Sequence, residues 1–289
     1  MGNATGFLDF ARNYEDFALQ KHSISLAYSA MRFGICCAIW LLLGIELASS
    51  QTQKTASPTP TPAPTPTPTP AFPEFRPALI GSGPNSVINT IDAAELIKKG
   101  QKEGAVMFSC LVSPTGDIVR FGAYRGTLNS ELLEYELLKA IATAKFIPAI
   151  HNHQPVIAVF FGTVKFAVVD GKPRLRIFAN QQLQELDKET DFIDPQPYVG
   201  QDSSFTGINY PETGTTVAVT GVVELALSVD ARGNLKNIEV VSEEPPLLGF
   251  GKAALSDFSG AKFIPAFRNG QPVESNVKIP VYYKKPEPE

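Results

Sequence analysis

Three histidines and three cysteines are all that this 289-residue chain holds of the residue types most often used for metal or nucleophilic chemistry. His151-Asn152-His153 sets two imidazoles two residues apart, a spacing that can put both on one face of a strand. A metal site needs further ligands, and no other Cys, His or carboxylate cluster lies near in sequence, so the tripeptide reads as a turn. Cys36 and Cys37 fall in an apolar run near the N-terminus, which leaves Cys110 alone, with no disulfide framework and no cysteine-based metal site. Cys110 occupies an inward position of an alternating apolar segment and is expected to be an inert core thiol. Asp191 and Asp194 lie in a polar stretch with Pro195 and Pro197, where a general acid or base would lack the buried setting it needs. Neither a Gly-x-Ser-x-Gly elbow nor a Gly-rich phosphate loop occurs. These residues point away from an enzyme. No catalytic group, metal site or cofactor is expected, and function should rest on binding surfaces.

The elements that would build such surfaces follow from the rest of the chain. It is 44% hydrophobic, 10% aromatic and 19% charged, with a net charge of -4. That is a globular composition with room for two ordinary domains, and it offers no basic surplus to hold nucleic acid or an anionic membrane surface. Met31-Arg32 precedes an apolar run at 33–45, and Ala48-Ser49-Ser50 supplies small residues before Gln51, as in a signal peptide. Residues 1–30, with Asp9, Glu15, Asp16 and His22, are either an extended leader or a sign that translation starts at Met31. Cleavage near Gln51 is favoured because Glu46 would otherwise sit near the bilayer edge; the other reading is a retained membrane anchor. Both place the protein in the periplasm or cell envelope, with membrane contact only if the segment is uncleaved. Residues 57–70 then alternate Pro with Thr or Ala, a semi-rigid polyproline II spacer of ~3.1 Å per residue.

Beyond the spacer the chain repeats itself. Ala144-Lys145-Phe146-Ile147-Pro148-Ala149 recurs as Ala261-Lys262-Phe263-Ile264-Pro265-Ala266, and Gln154-Pro155-Val156 as Gln271-Pro272-Val273, always 117 residues on. Gly104 and Gly116 meet Gly221 and Gly233 at the same offset, whereas His151 and His153 meet Arg268 and Gly270. Read together, the copies predict one unit. Val223, Leu225, Leu227 and Val229 alternate with polar or small residues as a half-buried strand, and Val106, Phe108, Cys110 and Val112 do the same. Ser113–Asp117 and Asp230–Asn234 are hairpin turns with a Gly available for positive φ, leading to second strands at 118–124 and 235–241. A helix capped by Asn129 or Ser130 buries Leu133, Leu137, Leu138 and Ile141; its counterpart at 248–258 carries Gly249 and Gly251 and should be weaker. A third strand closes each unit. The fold class is α+β: a β-β-α-β order with a helix on a three-stranded antiparallel sheet, twice. The expected segments are 1–50 leader plus signal peptide or anchor, 51–77 Pro/Thr-rich linker, 78–180 first module, 181–202 inter-domain linker and 203–289 second module.

Tyr210-Pro211, then Gly221-Val222-Val223-Glu224-Leu225, Val229-Asp230-Ala231-Arg232-Gly233 and Phe263-Ile264-Pro265-Ala266, resemble the C-terminal domain of TonB energy transducers. An apolar N-terminal segment followed by a Pro-rich spacer is similar to that family's layout. The resemblance implies a periplasmic module that adds an extended segment of an outer-membrane transporter as a strand to its sheet edge, in support of energised transport. On this chain it assigns peptide binding to Val277, Lys278, Ile279, Val281 and Tyr282, with Tyr210 and Pro211 as further contacts. The alternative is a soluble periplasmic or secreted scaffold with no energy transduction.

The chain departs from the family pattern in places. Pro280 lies inside the candidate strand and removes a donor from it, and the first copy has Ala93 where the second has Tyr210. The first copy's third strand, 156–166, is apolar on both faces: Ile157, Val159 and Phe161 on one, Ala158, Phe160 and Val164 on the other. A strand of that kind needs cover on both sides. The expected cover is an extra hairpin at Asp170-Gly171 (pairing 163–169 with 174–178), the second copy, or a second chain in a homodimer.

Overall fold

The computed structural model describes residues 72–212 and 219–285. The expected leader, signal or anchor segment and the spacer through residue 71 lie outside the described residues. In chain order, β1 (Phe75–Arg76) leads to two short helices, α1 (Val87–Thr90) and α2 (Ala93–Lys98). Then come β2 (Gly104–Val112), β3 (Ile118–Gly126), α3 (Glu131–Thr143), β4 (Ala149–His151), β5 (Gln154–Val169) and β6 (Lys172–Phe178). The crossing segment holds α4 (Leu183–Lys188) and β7 (Gln196–Val199). The second half follows with β8 (Gly221–Val229), β9 (Leu235–Glu244) and α5 (Phe250–Phe258). It ends with β10 (Phe263–Ile264), β11 (Ala266–Arg268), β12 (Gln271–Val273) and β13 (Ser275–Tyr283). Among the described residues every named strand pairing is antiparallel, so the fold is α+β with antiparallel sheets.

Local chemistry accounts for these elements. In β2 and β8, buried and half-buried residues alternate without a break, which lays one face of each strand on the core. The turns that follow end on Gly116 and Gly233, at φ of 82° and 80°. Each glycine carbonyl accepts a 2.9 Å bond from the N–H of Phe146 or Phe263, so the turn is stitched to the segment leaving the helix. A Cβ at Gly116 would stand 2.0 Å from the Phe146 carbonyl oxygen, and one at Gly233 would stand 1.8 Å from that of Phe263. Only glycine fits either place.

Both helices take their N-terminal acceptors from outside the helix. The Ser130 hydroxyl expected to cap α3 donates instead to the Thr127 carbonyl. Gln101 reaches across to accept the Leu133 N–H at 2.9 Å. Likewise α5 starts at Phe250 rather than 248, because Gly249 is left-handed, and Glu243 of β9 accepts the N–H groups of Leu248 and Phe250.

The third strand differs between the halves. In the second half β13 joins β8 and β9 in a three-stranded sheet, while β11 and β12 form a separate ribbon. In the first half the expected three-stranded sheet is exceeded. β5 runs unbroken through both the expected third strand and the hairpin, and β6 returns along it from Thr163↔Phe178 to Val169↔Lys172. The resulting eight-stranded sheet runs β1-β4-β5-β2-β3, with β6 and β7 also on β5 and β10 on β7. The 181–202 segment, expected as a linker, is itself packed. It carries α4 and β7, and Gln181, Asp194, Gln196 and Tyr198 in it are buried.

Among the described residues two apolar clusters result, and each contains side chains from the other half. Ile264 and Phe267 join the cluster built on α3 and β2. Val159 and Phe161 join the one built on α5, β8 and β13, at 3% and 1% exposure. The doubly apolar strand is thus covered on both faces: Ala158, Phe160 and Val164 are buried in the first cluster, and Val159 and Phe161 in the second. Burying a Val and a Phe contributes about 1.5–3 kcal/mol each, so this exchange is a substantial part of what joins the halves.

Candidate functional site

The strand assigned by resemblance to peptide binding, 277–282, is most of β13, an outer strand of its sheet. No strand pairs with its outer edge among the described residues. Antiparallel pairing with β8 splits its residues into two sets. Val277, Ile279 and Val281 are buried in the second cluster, with their backbone groups turned to β8. Lys278, Pro280 and Tyr282 turn their backbone groups outward, as the bonds at Lys278 show. Its N–H donates to Gln182 Oε1 at 3.1 Å and its carbonyl accepts from Gln182 Nε2 at 3.0 Å. Pro280 therefore faces its missing N–H to the outside, where the sheet loses nothing by it but an added strand loses a donor.

Beside this edge lies a cleft of about 640 Å³ between 273–280 and the start of α4, floored by Met107 and Arg125. Its walls are pinned by charge pairs. Arg125 meets Glu224 at 2.8 Å, Lys278 meets Glu224 at 3.5 Å, and Arg268 meets Glu185 at 2.6 Å. The Arg125 hydrogen bond holds the Glu224 carboxyl below its usual range against the opposing effect of burial, and Arg268 does the same for Glu185. Tyr282 stacks on Tyr124 of β3 with ring centroids 5.7 Å apart, and its ring lies over Gly122. Burial, with Glu134 nearby, raises the Tyr282 phenol pKa.

Behind the cleft stands Asp194, expected in an exposed linker but fully buried at 0% exposure. Burial pushes its carboxyl up to about 7, with Glu185 adding to the shift and hydrogen bonds from Gln182 and the Gln181 N–H opposing it. The Gln182 Nε2 lies 3.0 and 3.1 Å from its two oxygens, and the Gln181 N–H donates to Oδ2 at 2.8 Å. The Gln181 side chain points the other way, donating to the carbonyls of Phe108 and Gly162. Sequence reasoning missed this group because its partners Gln181 and Gln182, 13 and 12 residues away, match no helix or strand period, and the glutamines' own further partners, Phe108 and Lys278, lie 73 and 96 residues off.

The remaining assigned residues lie elsewhere. Tyr210 is not among the residues lining the cleft: its hydroxyl donates to the Val219 carbonyl at 2.6 Å and its ring meets Phe250 edge-on. Pro211 follows it, half-buried, beside the undescribed 213–218. Asn152 and His153 form a turn at positive φ between β4 and β5. His151 stacks on Tyr198, with Nε2 3.0 Å from its hydroxyl, while His153 Nδ1 meets the Phe72 carbonyl, so the two imidazoles serve different partners. Cys110 lies on the inward face of β2, and burial pushes its thiol pKa far up. The strands β3 and β9 also end their sheets.

The geometry is thus that of a small antiparallel α+β unit with one strand edge facing a cleft. Residues 206–284, which contain that unit, match the family described as Gram-negative bacterial TonB protein C-terminal. No curated protein matches the chain, and no solved structure does. The family match spans the second half only.

Proposed function

We propose that this chain is a TonB-like protein of the cell envelope that adds an extended peptide of an outer-membrane transporter to the outer edge of β13, in support of energised transport. The observation that carries this reading is the family match over 206–284, which contains an edge strand with outward backbone groups at Lys278, Pro280 and Tyr282. Strand addition suits such an edge, since backbone hydrogen bonds recruit a peptide with few demands on its side chains. Val277, Ile279 and Val281 keep the strand seated on the core, while Tyr210 and Pro211 fix the entry to the unit.

The first half is a second copy of the same module whose third-strand edge is closed by β6, β7 and β4, so it serves as a support rather than a receptor-binding surface. A periplasmic scaffold without energy transduction is the second reading. It is favoured by the crowding of the β13 edge by Gln182, Pro280 and the Tyr124–Tyr282 stack.

The test is site-directed photo-crosslinking from Lys278 and Tyr282 in a Gram-negative host. Crosslinks to an extended segment of an outer-membrane transporter are expected. Crosslinks only to soluble envelope proteins would favour the scaffold. N-terminal sequencing with membrane fractionation separates the two further, since transduction needs an anchor and a scaffold starting near Gln51 does not.

A further inference from the structure

The outer edge of β13 is not bare, because one of its rungs is filled by a side chain. The Gln182 amide donates to the Lys278 carbonyl and accepts the Lys278 N–H, the same pair of bonds a residue of a neighbouring strand would make. We propose that Gln182 is a displaceable surrogate rung, holding the β13 edge at Lys278 until an incoming strand takes its place. This rests on the strand-addition reading above.

The position matters because of what flanks it. Outward backbone groups fall on Asn276, Lys278, Pro280 and Tyr282. Pro280 has no N–H to give, and the Tyr282 ring is held against Tyr124. Lys278 therefore offers a complete donor–acceptor pair in the middle of the strand, and Gln182 occupies that pair. An incoming strand must supply one N–H and one C=O at this level, and it gains only the difference between its own bonds and those it replaces.

The rung is built to leave without unfolding anything. Gln182 is half-buried, whereas the neighbouring Gln181 is buried and anchors the segment through its bonds to Phe108, Gly162 and Asp194. Rotation of the Gln182 side chain thus frees Lys278 while the backbone of the segment stays tied to the first half. What opposes departure is Asp194, whose two oxygens both lie within reach of the Gln182 amide. The same node that seats the first half's sheet thereby sets how readily the second half's edge opens.

The experiment compares the full-length chain with Gln182→Ala and with Gln182→Met, which keeps the length of the side chain but not its amide. Hydrogen exchange is read at the Lys278 amide in the free proteins. Binding is then measured with short synthetic peptides copied from extended periplasm-facing segments of outer-membrane transporters. In both variants the Lys278 amide is expected to exchange about tenfold faster, and the peptide to bind about tenfold more tightly than to the native chain. Unchanged exchange at Lys278 in the free variants would overturn the proposal, whatever the peptides do. Equal binding to all three proteins, with the peptide protecting Lys278, would leave strand addition standing and overturn the surrogate rung. Failure of every peptide to protect Lys278 in any of the proteins would remove the strand-addition reading and the rung with it.

Discussion

Asp194 illustrates how a single buried carboxyl sets a pH dependence. Its folded pKa is raised to about 7 by burial, against about 3.9 in an unfolded chain. A raised folded value means that its stabilising contribution is full below about pH 4 and is lost as pH rises through about 7. Unfolding free energy measured by urea titration should therefore fall by up to a few kcal/mol between about pH 4.5 and about pH 7.5, and Asp194→Asn should remove most of that slope. Asp230 works in the opposite sense. Burial would raise its pKa, but bonds from Asn234, the Arg232 N–H and Lys236 outweigh that and hold it well below the usual range, so its contribution is lost only in stronger acid. A second residue-scale test concerns the paired glycines. Gly233→Ala would force a Cβ both into positive φ and onto the Phe263 carbonyl, so it should cost at least about 2 kcal/mol in chemical denaturation, as should Gly116→Ala.

Strands and turns were largely legible in the sequence, while the interactions that seat them were not. Alternation at Val223–Val229, the turn glycines and the Asp170-Gly171 hairpin are local patterns, and the structure has strands and turns at those places. The caps of α3 and α5, by contrast, come from Gln101 and Glu243 through side-chain bonds that no nearby spacing encodes. The same holds for the candidate site. Its strand could be placed at 277–282 by resemblance, yet which residues face outward depends on register, and Gln182 lies 96 positions from Lys278. The two apolar faces of β5 gave the one long-range hint, since such a strand must be covered twice. At this scale Phe161→Ala should cost about 3–5 kcal/mol in urea titration, because its cavity would open in the cluster of the second half. A loss under about 1 kcal/mol would mean that the halves are joined chiefly by other contacts.

For the molecule as a whole, the exchange of Val159 and Phe161 for Ile264 and Phe267, with β7 paired to both β5 and β10, makes the halves one structural body. Calorimetry on the chain should show a single cooperative transition for the described region, whereas two separated transitions would mean that each half is stable without the other. Residues 203–289 produced alone should unfold at lower temperature and associate, because the surface that receives Val159 and Phe161 would be open to water. On the strand-addition reading, the third strand of the first half, closed by β4, β6 and β7, gives rigidity, and β13 gives the edge.

The covering of β5 also has a consequence in time. The chain is made from its N-terminus, and Val159 and Phe161 leave the ribosome well before β13, whose last residue is Tyr283. At synthesis rates of about 5–20 residues per second, these side chains wait on the order of 6–25 s for the partner that will bury them. Through that interval the half-made protein carries a sticky strand, so its safe delivery depends on whatever keeps the nascent chain unfolded or shielded until the last strand arrives.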